Sequence, residues 1–376
     1  MSGIYIHIPF CKRACTYCNF HFSTSLAQKN EFIGSLIKEI GLAENFIVPV
    51  ETIHSIYFGG GTPSLLTTSE LKMIFESLHK KFNIDKNAEI TLEANPDDIN
   101  KKIVNEWIKI GINRLSLGVQ SFKHDELEWM NRAHNATESL KSIDEIQGAG
   151  INNFSVDLIF GSPLLSNNDL KNNLEIIFKK EVPHISCYAL TVEPKTALDK
   201  LIEQKKSLPV NSEKQAEQFL LLMDSMKTNG YEHYEISNFA KPGMRSKHNS
   251  SYWQGKTYYG FGPSAHSFNG KNKRRWNIAN NALYIQSIKN NAIPFEEEVL
   301  TDEERLNEYI MTSLRTMEGI DTGVIGLMFG AEHLKQLQSS VQKYINSNRV
   351  IIQNTNIVLT NEGKLFADGI AADLFF

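Results

Sequence analysis

Short apolar runs alternate with amphipathic stretches through the first 200 residues. The runs are rich in β-branched and aromatic residues and predict strands, whereas the stretches between them, such as 69–82 and 101–111, have helical periodicity. The six predicted strands are 3–9, 55–60, 88–94, 114–120, 154–161 and 185–192. Six β/α units in succession favour a parallel sheet, either open and doubly wound or closed into a full or partial barrel. Both arrangements place ligand-binding residues at the carboxyl ends of the strands.

The pattern changes after about residue 205. A helix is predicted over 212–231, and the Gly- and aromatic-rich tract that follows, 234–268, has no sustained helical period. Helical character returns at Thr301, which has the capping-box partner Glu304.

The C-terminal tail predicts two short strands joined at 354–356, followed by a helix capped by Thr360. We therefore predict three regions: a β/α domain over 1–205, a connecting region over 206–297, and a mainly helical domain with a small β wing over 298–376.

Composition excludes several classes of protein. A net charge of −4 with 22% charged residues does not indicate a nucleic-acid binder held by bulk charge. The opening residues MSGIYIHIPF have neither the basic nor the apolar segment of a secretory signal, and no stretch approaches the ~18 apolar residues of a membrane span. We therefore expect a cytoplasmic protein, in which four cysteines cannot form a disulfide framework.

Three of the four cysteines lie close together, at Cys11, Cys15 and Cys18, in the pattern C-x3-C-x2-C. On a helix, this spacing would place three buried thiols on one face. The cysteines could also bind zinc, with His21 or His7 as the fourth ligand. A third alternative is an iron–sulfur cluster, which normally takes four thiolates. Three cysteines would then leave one iron open to a small molecule.

A glycine-rich segment, GGGTPS at 59–64, directly follows the predicted strand that ends at Phe58. It lacks the Lys-Ser/Thr pair of a nucleotide-binding P-loop. Three successive glycines exceed what a tight turn needs, and they allow backbone groups to approach a ligand closely. This second ligand-binding segment favours a cluster with an open iron over a closed zinc site.

Together, these segments resemble the radical S-adenosylmethionine (SAM) superfamily. The resemblance is closest to the branch that contains oxygen-independent coproporphyrinogen III dehydrogenase, and it extends over nearly the whole chain. The matching motifs, in order, are YIHIPFC, YFGGGTPS, LEANPDD, RLSLGVQSF, VDLIFGSP and GFGPSAHSF. The resemblance implies a partial (β/α)6 barrel, one [4Fe-4S] cluster and bound SAM.

The resemblance also implies roles for individual residues. Cys11, Cys15 and Cys18 would ligate the cluster. The residues implied in SAM binding are Gly60, Gly61, Thr62, Glu93, Gln120, Arg132 and Asp157, with Tyr5 and Tyr17 beside the cluster and the ligand. Arg132 would suit the methionyl carboxylate, since a guanidinium can bind it in a bidentate manner. No catalytic residue is assigned.

Two departures distinguish this chain from the dehydrogenase. Phe20 stands where that enzyme has a further cysteine, and the first cluster cysteine is already residue 11, which leaves no room for the enzyme's N-terminal extension. HNSSYW at 248–253 instead resembles a motif of the heme chaperones within the superfamily.

We therefore predict a heme chaperone that passes heme to acceptor proteins, membrane-associated ones included. His248 would offer an iron ligand, and Tyr252 and Trp253 would offer flat apolar faces for the porphyrin. Rival ligands are His266, His233 and Cys187. The alternatives are an enzyme, either the dehydrogenase or another SAM-cleaving enzyme on a tetrapyrrole, and a structural zinc protein.

Overall fold

Six parallel strands form the central sheet of the protein, as the alternating pattern predicts. The structure is a computed structural model, and it describes residues 2–43 and 51–376. The strands are adjacent in chain order and are β1 (Ser2–Ile8), β2 (Ile53–Gly60), β3 (Ile84–Ala94), β4 (Arg114–Gln120), β5 (Phe154–Phe160) and β6 (His184–Ala189). Their burial on both faces explains the nearly continuous apolar runs. All six predicted strands are confirmed.

Helices connect these strands and cover the outside of the sheet. They are α1 (Lys29–Leu42), α2 (Thr68–Lys81), α3 (Lys101–Lys109), α4 (His124–Trp129), α5 (Ala136–Gly148), α6 (Asn167–Lys179), α7 (Ala197–Glu203) and α8 (Ser212–Thr228). Three of these helices, α2, α5 and α6, begin with a capping box. In α2, the box is formed by the side chains of Thr67 and Glu70. Gly111 lies just after α3 and has φ +104°. Glycine adopts this backbone conformation without the steric cost that other residues incur, so it suits the position at which the helix ends.

The tract without helical period completes both edges of the sheet. β7 (Glu232–Glu235) and β8 (Asn238–Ala240) extend it beyond β6, and β9 (Tyr258–Phe261) pairs parallel to β1. The further members of this region are α9 (Lys247–Trp253), β10 (His266–Phe268), β11 (Lys273–Asn277), α10 (Asn281–Lys289) and β12 (Phe295–Val299). Because β1 and β6 pair outward with β9 and β8, the six parallel strands form a partial barrel.

The C-terminal segment builds a second hydrophobic core with a three-stranded antiparallel sheet. Its elements are α11 (Asp302–Leu314), β13 (Ile320–Asp321), α12 (Thr322–Phe329), α13 (Ala331–Asn346), β14 (Val350–Gln353), β15 (Asn356–Leu359), α14 (Asn361–Lys364) and α15 (Ala367–Asp373). The Thr301–Glu304 capping box, the strand pair joined at 354–356 and the Thr360 cap are all confirmed. In the part of the chain that the structure describes, no helix is long and apolar enough to cross a membrane.

A buried carboxylate joins the β9–β12 extension to the barrel. Glu39 on α1 is completely buried and accepts hydrogen bonds from Tyr284 Oη at 2.6 Å, Asn277 Nδ2 at 2.6 Å and Gly262 N at 2.8 Å. Its burial raises the pKa of Glu39 above the ordinary value. Three hydrogen-bond donors from the region 262–284 therefore converge on the Glu39 side chain and attach this region to α1.

We expect Glu39→Ala to lower the free energy of unfolding by about 2–4 kcal/mol, because it leaves buried donors without an acceptor. Urea denaturation followed by circular dichroism measures the change. Glu31→Gln is the matched control on the same helix. Glu31 forms an exposed ion pair with Lys289, so its loss should cost less than about 1 kcal/mol. Equal losses in the two variants would contradict a structural role for the Glu39 network.

Candidate cofactor and ligand site

The carboxyl ends of the parallel strands open into a cavity of about 870 Å³. Residues at the ends of β2 to β6 and the three clustered cysteines line it, together with residues of the C-terminal segment. This is the position at which α/β folds bind ligands, since loops and strand ends converge there. The cavity collects most of the site residues that the sequence predicts.

The cysteine loop follows β1 and contains no helix, so the alternative of three thiols on one helix face is not observed. Cys11, Cys15 and Cys18 are half-buried free thiols on the cavity wall. Burial raises the pKa of Cys11 to about 11 and also raises that of Cys18. Without a metal these two thiols are therefore protonated near neutral pH, and metal binding must release their protons.

Both histidines that the sequence offers as a fourth zinc ligand have hydrogen-bond partners. His7 Nε2 lies 2.9 Å from the backbone oxygen of His21, and His21 Nε2 lies 2.7 Å from Asn281 Oδ1. Among residues 2–43 and 51–376, no group of three or more His, Cys, Asp or Glu side chains is arranged to hold a metal ion.

The glycine-rich turn after β2 holds the start of the cysteine loop. Gly61 N donates to Ile8 O at 2.9 Å, and Thr62 N donates to Phe10 O at 2.7 Å. A Cβ on Gly61 would lie 2.6 Å from Phe10 O and 2.8 Å from Ile8 O. Gly61 is thus needed for a close approach of two backbone segments of the same chain. Gly61 also lines the cavity, and the predicted approach of this turn to a ligand stays a prediction.

Two carboxylates lie on the cavity wall at the strand ends. Glu93 accepts from Tyr57 Oη at 2.7 Å and from Gly60 N at 3.2 Å. Asp157 accepts from Ser116 Oγ at 3.3 Å. Desolvation raises the pKa of Glu93 to about 7 and that of Asp157 to about 6. Both carboxyls would ionise more readily beside a cationic ligand.

Arg132 reaches the cavity from the loop after α4. Its Nη1 donates to Cys15 Sγ at 3.2 Å and to Tyr17 Oη at 3.5 Å. Its Nη2 donates to Asn95 Oδ1 and to the Gly118 backbone oxygen, both at 2.7 Å, while its Nε is buried without an acceptor in the described chain. The guanidinium is therefore fixed beside the cysteine loop with one donor unused.

The remaining predicted residues separate into two groups. Thr62, Gln120 and Tyr17 line the cavity, and Gln120 ends β4 with φ +69°. Tyr5 lies behind the wall, where its ring stacks on Tyr57 with centroids 6.2 Å apart and its hydroxyl lies 3.2 Å from His7 Nδ1. Phe20 is 68% exposed at the edge of the cavity.

Asn95 is a site residue that the sequence analysis missed. Its Nδ2 donates to Thr62 Oγ1 at 3.2 Å while its Oδ1 accepts from Arg132, so it connects the glycine-rich turn to the guanidinium. It belongs to the LEANPDD motif, directly after β3, and its position at a strand end was the available signal.

His248 is enclosed by other residues. It is 1% exposed, its Nδ1 lies 2.8 Å from Ser55 Oγ, its Nε2 lies 3.1 Å from Tyr252 Oη, and its ring stacks on Tyr57 at 5.0 Å. Burial lowers the pKa of His248 to about 3. Both ring nitrogens therefore have partners within the protein, and iron ligation by His248 would require α9 to separate from β2.

A buried carboxylate, also missed from the sequence, holds the start of α9. Glu89 on β3 accepts from His248 N at 3.0 Å, from Lys247 N at 3.2 Å and from Ser246 Oγ at 3.4 Å, and it pairs with Arg114 at 3.9 Å. The HNSSYW helix is thus attached to the barrel by its N-terminal backbone amides, where a negative charge is favourable.

Trp253 and the rival ligands lie in different surroundings. The Arg315 guanidinium carbon stands over the Trp253 ring at 5.2 Å, and Arg315 lines the cavity. His266 is exposed and stacks on Trp276 at 5.9 Å. Cys187 is buried on the cavity wall, and His233 contacts Lys364.

Comparison with known proteins agrees with this geometry. The sequence profile of the radical SAM superfamily matches residues 5–177. The solved structure of coproporphyrinogen III oxidase (HemN) from Escherichia coli superposes with a TM-score of 0.86 over 100% of this chain and 90% of that one, at 19% identity. The fold is therefore the predicted partial (β/α)6 barrel with its C-terminal domain, and residues 5–177 match the radical SAM superfamily.

Two curated relatives define the family more closely. The heme chaperone HemW of Bacillus subtilis is 33% identical over 98% of this chain and 97% of its own length. HemW of Lactococcus lactis is 30% identical over 96% of this chain and 94% of its own length. Within the superfamily, the chain belongs to the HemW family.

The raised pKa values of Glu93 and Asp157 predict a pH dependence of stability. The folded protein without ligands binds these two protons more tightly than the unfolded chain, so the contribution of the two carboxyls to the free energy of unfolding should fall as pH rises from about 4 to 7.5, whereas buried histidines with lowered pKa values, such as His248 and His233, contribute in the opposite direction below about pH 6.5. A pKa difference of one corresponds to about 1.4 kcal/mol, so the rise of the Glu93 pKa to about 7 contributes at most about 3.5 kcal/mol, less the screening by cavity water. Urea denaturation of the wild type and of Glu93→Gln at a series of pH values measures the Glu93 contribution as the difference between the two curves.

Glu93→Gln should flatten the decrease. Asp169→Asn is the control, because hydrogen bonds from Ser166 and Lys123 lower the pKa of Asp169 to about 2, which is outside the pH window. An unchanged slope in Glu93→Gln would contradict the assignment of a raised pKa to Glu93.

Proposed function

We propose that this protein is a cytoplasmic heme chaperone, which binds heme and passes it to acceptor proteins, membrane-associated ones included. The observation that carries the proposal is the near-full-length identity to proteins named heme chaperone HemW. Phe20 and the HNSSYW segment, which set the sequence apart from the dehydrogenase branch, support it further.

The scaffold would hold one [4Fe-4S] cluster through Cys11, Cys15 and Cys18. Three thiolates leave one iron of a cube without a protein ligand. Arg132 Nη1 donates to Cys15 Sγ at 3.2 Å, so a cation lies beside the proposed cluster. The unused Nε of Arg132 is a donor that a ligand or cluster sulfur could satisfy.

SAM would lie between the cluster and the strand ends. Glu93 and Asp157 place negative charge where a sulfonium and an ammonium group would be stabilised. Gly60, Gly61, Thr62 and Gln120 belong to the same wall or turn, and Arg132 offers an opposite charge for the methionyl carboxylate. A reduced cluster bound to SAM can supply an electron to the sulfonium and so begin radical chemistry.

The cluster proposal predicts a difference among cysteines that share one cavity. After anaerobic reconstitution, Cys15→Ala should lose most of the iron and the brown absorption, whereas Cys187→Ala should retain both, since Cys187 is outside the loop. Iron analysis and visible spectra measure the outcome, with unreconstituted protein as the blank. Retention of a full cluster in Cys15→Ala, or stoichiometric zinc in the native protein, would overturn the proposal.

Heme contact is proposed for the segment of His248, Tyr252 and Trp253. Because His248 is enclosed, ligation by this residue should increase amide hydrogen exchange over 246–253 when heme binds. His248→Ala should then lower heme affinity at least tenfold in absorption titrations. His124→Ala is the matched control, because the His124 side chain is 64% exposed on α4 and is not on the cavity wall, whereas His266→Ala tests the rival ligand. Unchanged affinity in His248→Ala would remove His248 as the ligand.

The same preparation tests the function itself. The reconstituted wild type should bind heme and release it to a heme-free acceptor such as apomyoglobin, with transfer followed in the Soret band. Incubation with coproporphyrinogen III, SAM and a reductant should yield no catalytic protoporphyrinogen. Turnover of coproporphyrinogen would support the dehydrogenase alternative and overturn the chaperone proposal.

A further inference from the structure

The charged residues of the cavity wall lie in two parts. The barrel part has Glu93 and Asp157 at the strand ends, together with Arg132, whereas the C-terminal, basic part has Arg315 and Lys364, with Asp368 paired to Arg315. The basic part also carries Phe366, which is 47% exposed. A ligand with an apolar body and anionic groups at its edge matches the basic part of the wall. The strand ends with Glu93 and Asp157 suit a cation instead.

Lys364, at the end of α14, is held by an uncharged partner. Its Nζ lies 2.9 Å from His233 Nδ1, while His233 Nε2 donates to Ile236 O at 3.1 Å, so the Nδ1 lone pair accepts from the ammonium group. Burial lowers the pKa of Lys364 to about 8 and that of His233 to about 3, so the imidazole is neutral. Across the described residues, no carboxylate forms an ion pair with Lys364, and its charge is therefore uncompensated on the cavity wall.

Arg315, at the C-terminal end of α11, is held from two sides. Its Nη1 donates to Asp368 Oδ1 at 2.7 Å, but the Asp368 side chain is 84% exposed, and such ion pairs contribute little to stability. The Trp253 ring lies against its guanidinium at 5.2 Å. A guanidinium carries five N–H donors, so it has donors left for a carboxylate of a ligand.

We propose that Lys364 and Arg315 form a carboxylate-binding subsite that takes the propionate groups of a tetrapyrrole, with Phe366 as an apolar contact and Trp253 as the residue that positions Arg315. This inference rests on the proposed heme-binding function and names how the ligand is held. Trp253, the last residue of HNSSYW, would then position Arg315, a role that does not require iron ligation. Arginine suits a bidentate carboxylate contact, and lysine adds a point charge.

The test compares heme with its dimethyl ester, which has the same macrocycle without the carboxylate charges. The wild type should bind heme at least tenfold more tightly than the ester. Lys364→Met and Arg315→Met should each lower heme affinity about tenfold and leave ester affinity unchanged. Arg349→Met is the matched control, because Arg349 stacks on Phe366 at 4.1 Å but is not on the cavity wall, and it should preserve the preference for heme.

Two further arms address positioning and the source of the carboxylate. Trp253→Leu should weaken heme but not ester binding, and Trp253→Phe should restore part of the difference, because a phenyl ring also presents a face to a cation. The SAM-induced change in the electron paramagnetic resonance spectrum of the reduced cluster should be unaffected in Lys364→Met. Circular dichroism confirms that each variant is folded, and Lys364→Gln replaces any variant that is not.

The outcomes are distinguishable. Equal affinity of the wild type for heme and ester, or equal weakening of both by the substitutions, overturns the subsite while heme binding stands. Loss of SAM binding in Lys364→Met with heme affinity intact would assign the cations to the SAM carboxylate and also overturn it. Failure of the wild type to bind either form overturns the proposed function together with the subsite.

Discussion

The contact between the glycine-rich turn and the start of the cysteine loop is the constraint on which the site depends. Two backbone hydrogen bonds join Gly61 and Thr62 to Ile8 and Phe10, and only glycine at position 61 leaves room for the carbonyl groups that face it. The loop therefore leaves β1 directly across the mouth of the barrel. This crossing fixes where the cysteine loop begins, and the three cysteines share the cavity wall with the strand-end carboxylates and Arg132.

Charge is distributed along that cavity in a way that separates two kinds of ligand. Desolvation raises the pKa values of the carboxyls at the strand ends. A cationic ligand bound there would offset the free-energy cost of ionising these buried carboxyls. The C-terminal segment contributes cations instead. A cationic cofactor could bind at the carboxyl ends of the strands, and an anionic macrocycle could bind beside the C-terminal segment. Both ligands would then occupy one cavity without competing for the same charged residues.

The HNSSYW helix illustrates how a motif can act through its neighbours. In the described structure, His248 packs between the helix and β2, where it contacts Ser55, Tyr57 and Tyr252. Glu89 holds the helix start, and the tryptophan at its end lies against Arg315. The motif thus connects β2 and β3 of the barrel to α11 of the C-terminal domain, and a change in one of these elements would be felt by the others.

Local patterns in the sequence determined the six parallel strands, the helix caps at Thr301 and Thr360, the hairpin at 354–356 and the loop that carries the cysteines, because hydrophobic periodicity and capping depend on residues a few positions apart. The ordered motifs also identified the superfamily. Tertiary structure alone decided that the tract 234–268 completes both edges of the sheet, that His248 is enclosed, and that Arg315 and Lys364 meet at one cavity with Trp253 against Arg315. Those outcomes depend on packing between residues far apart in the chain, for which a periodic pattern carries no signal.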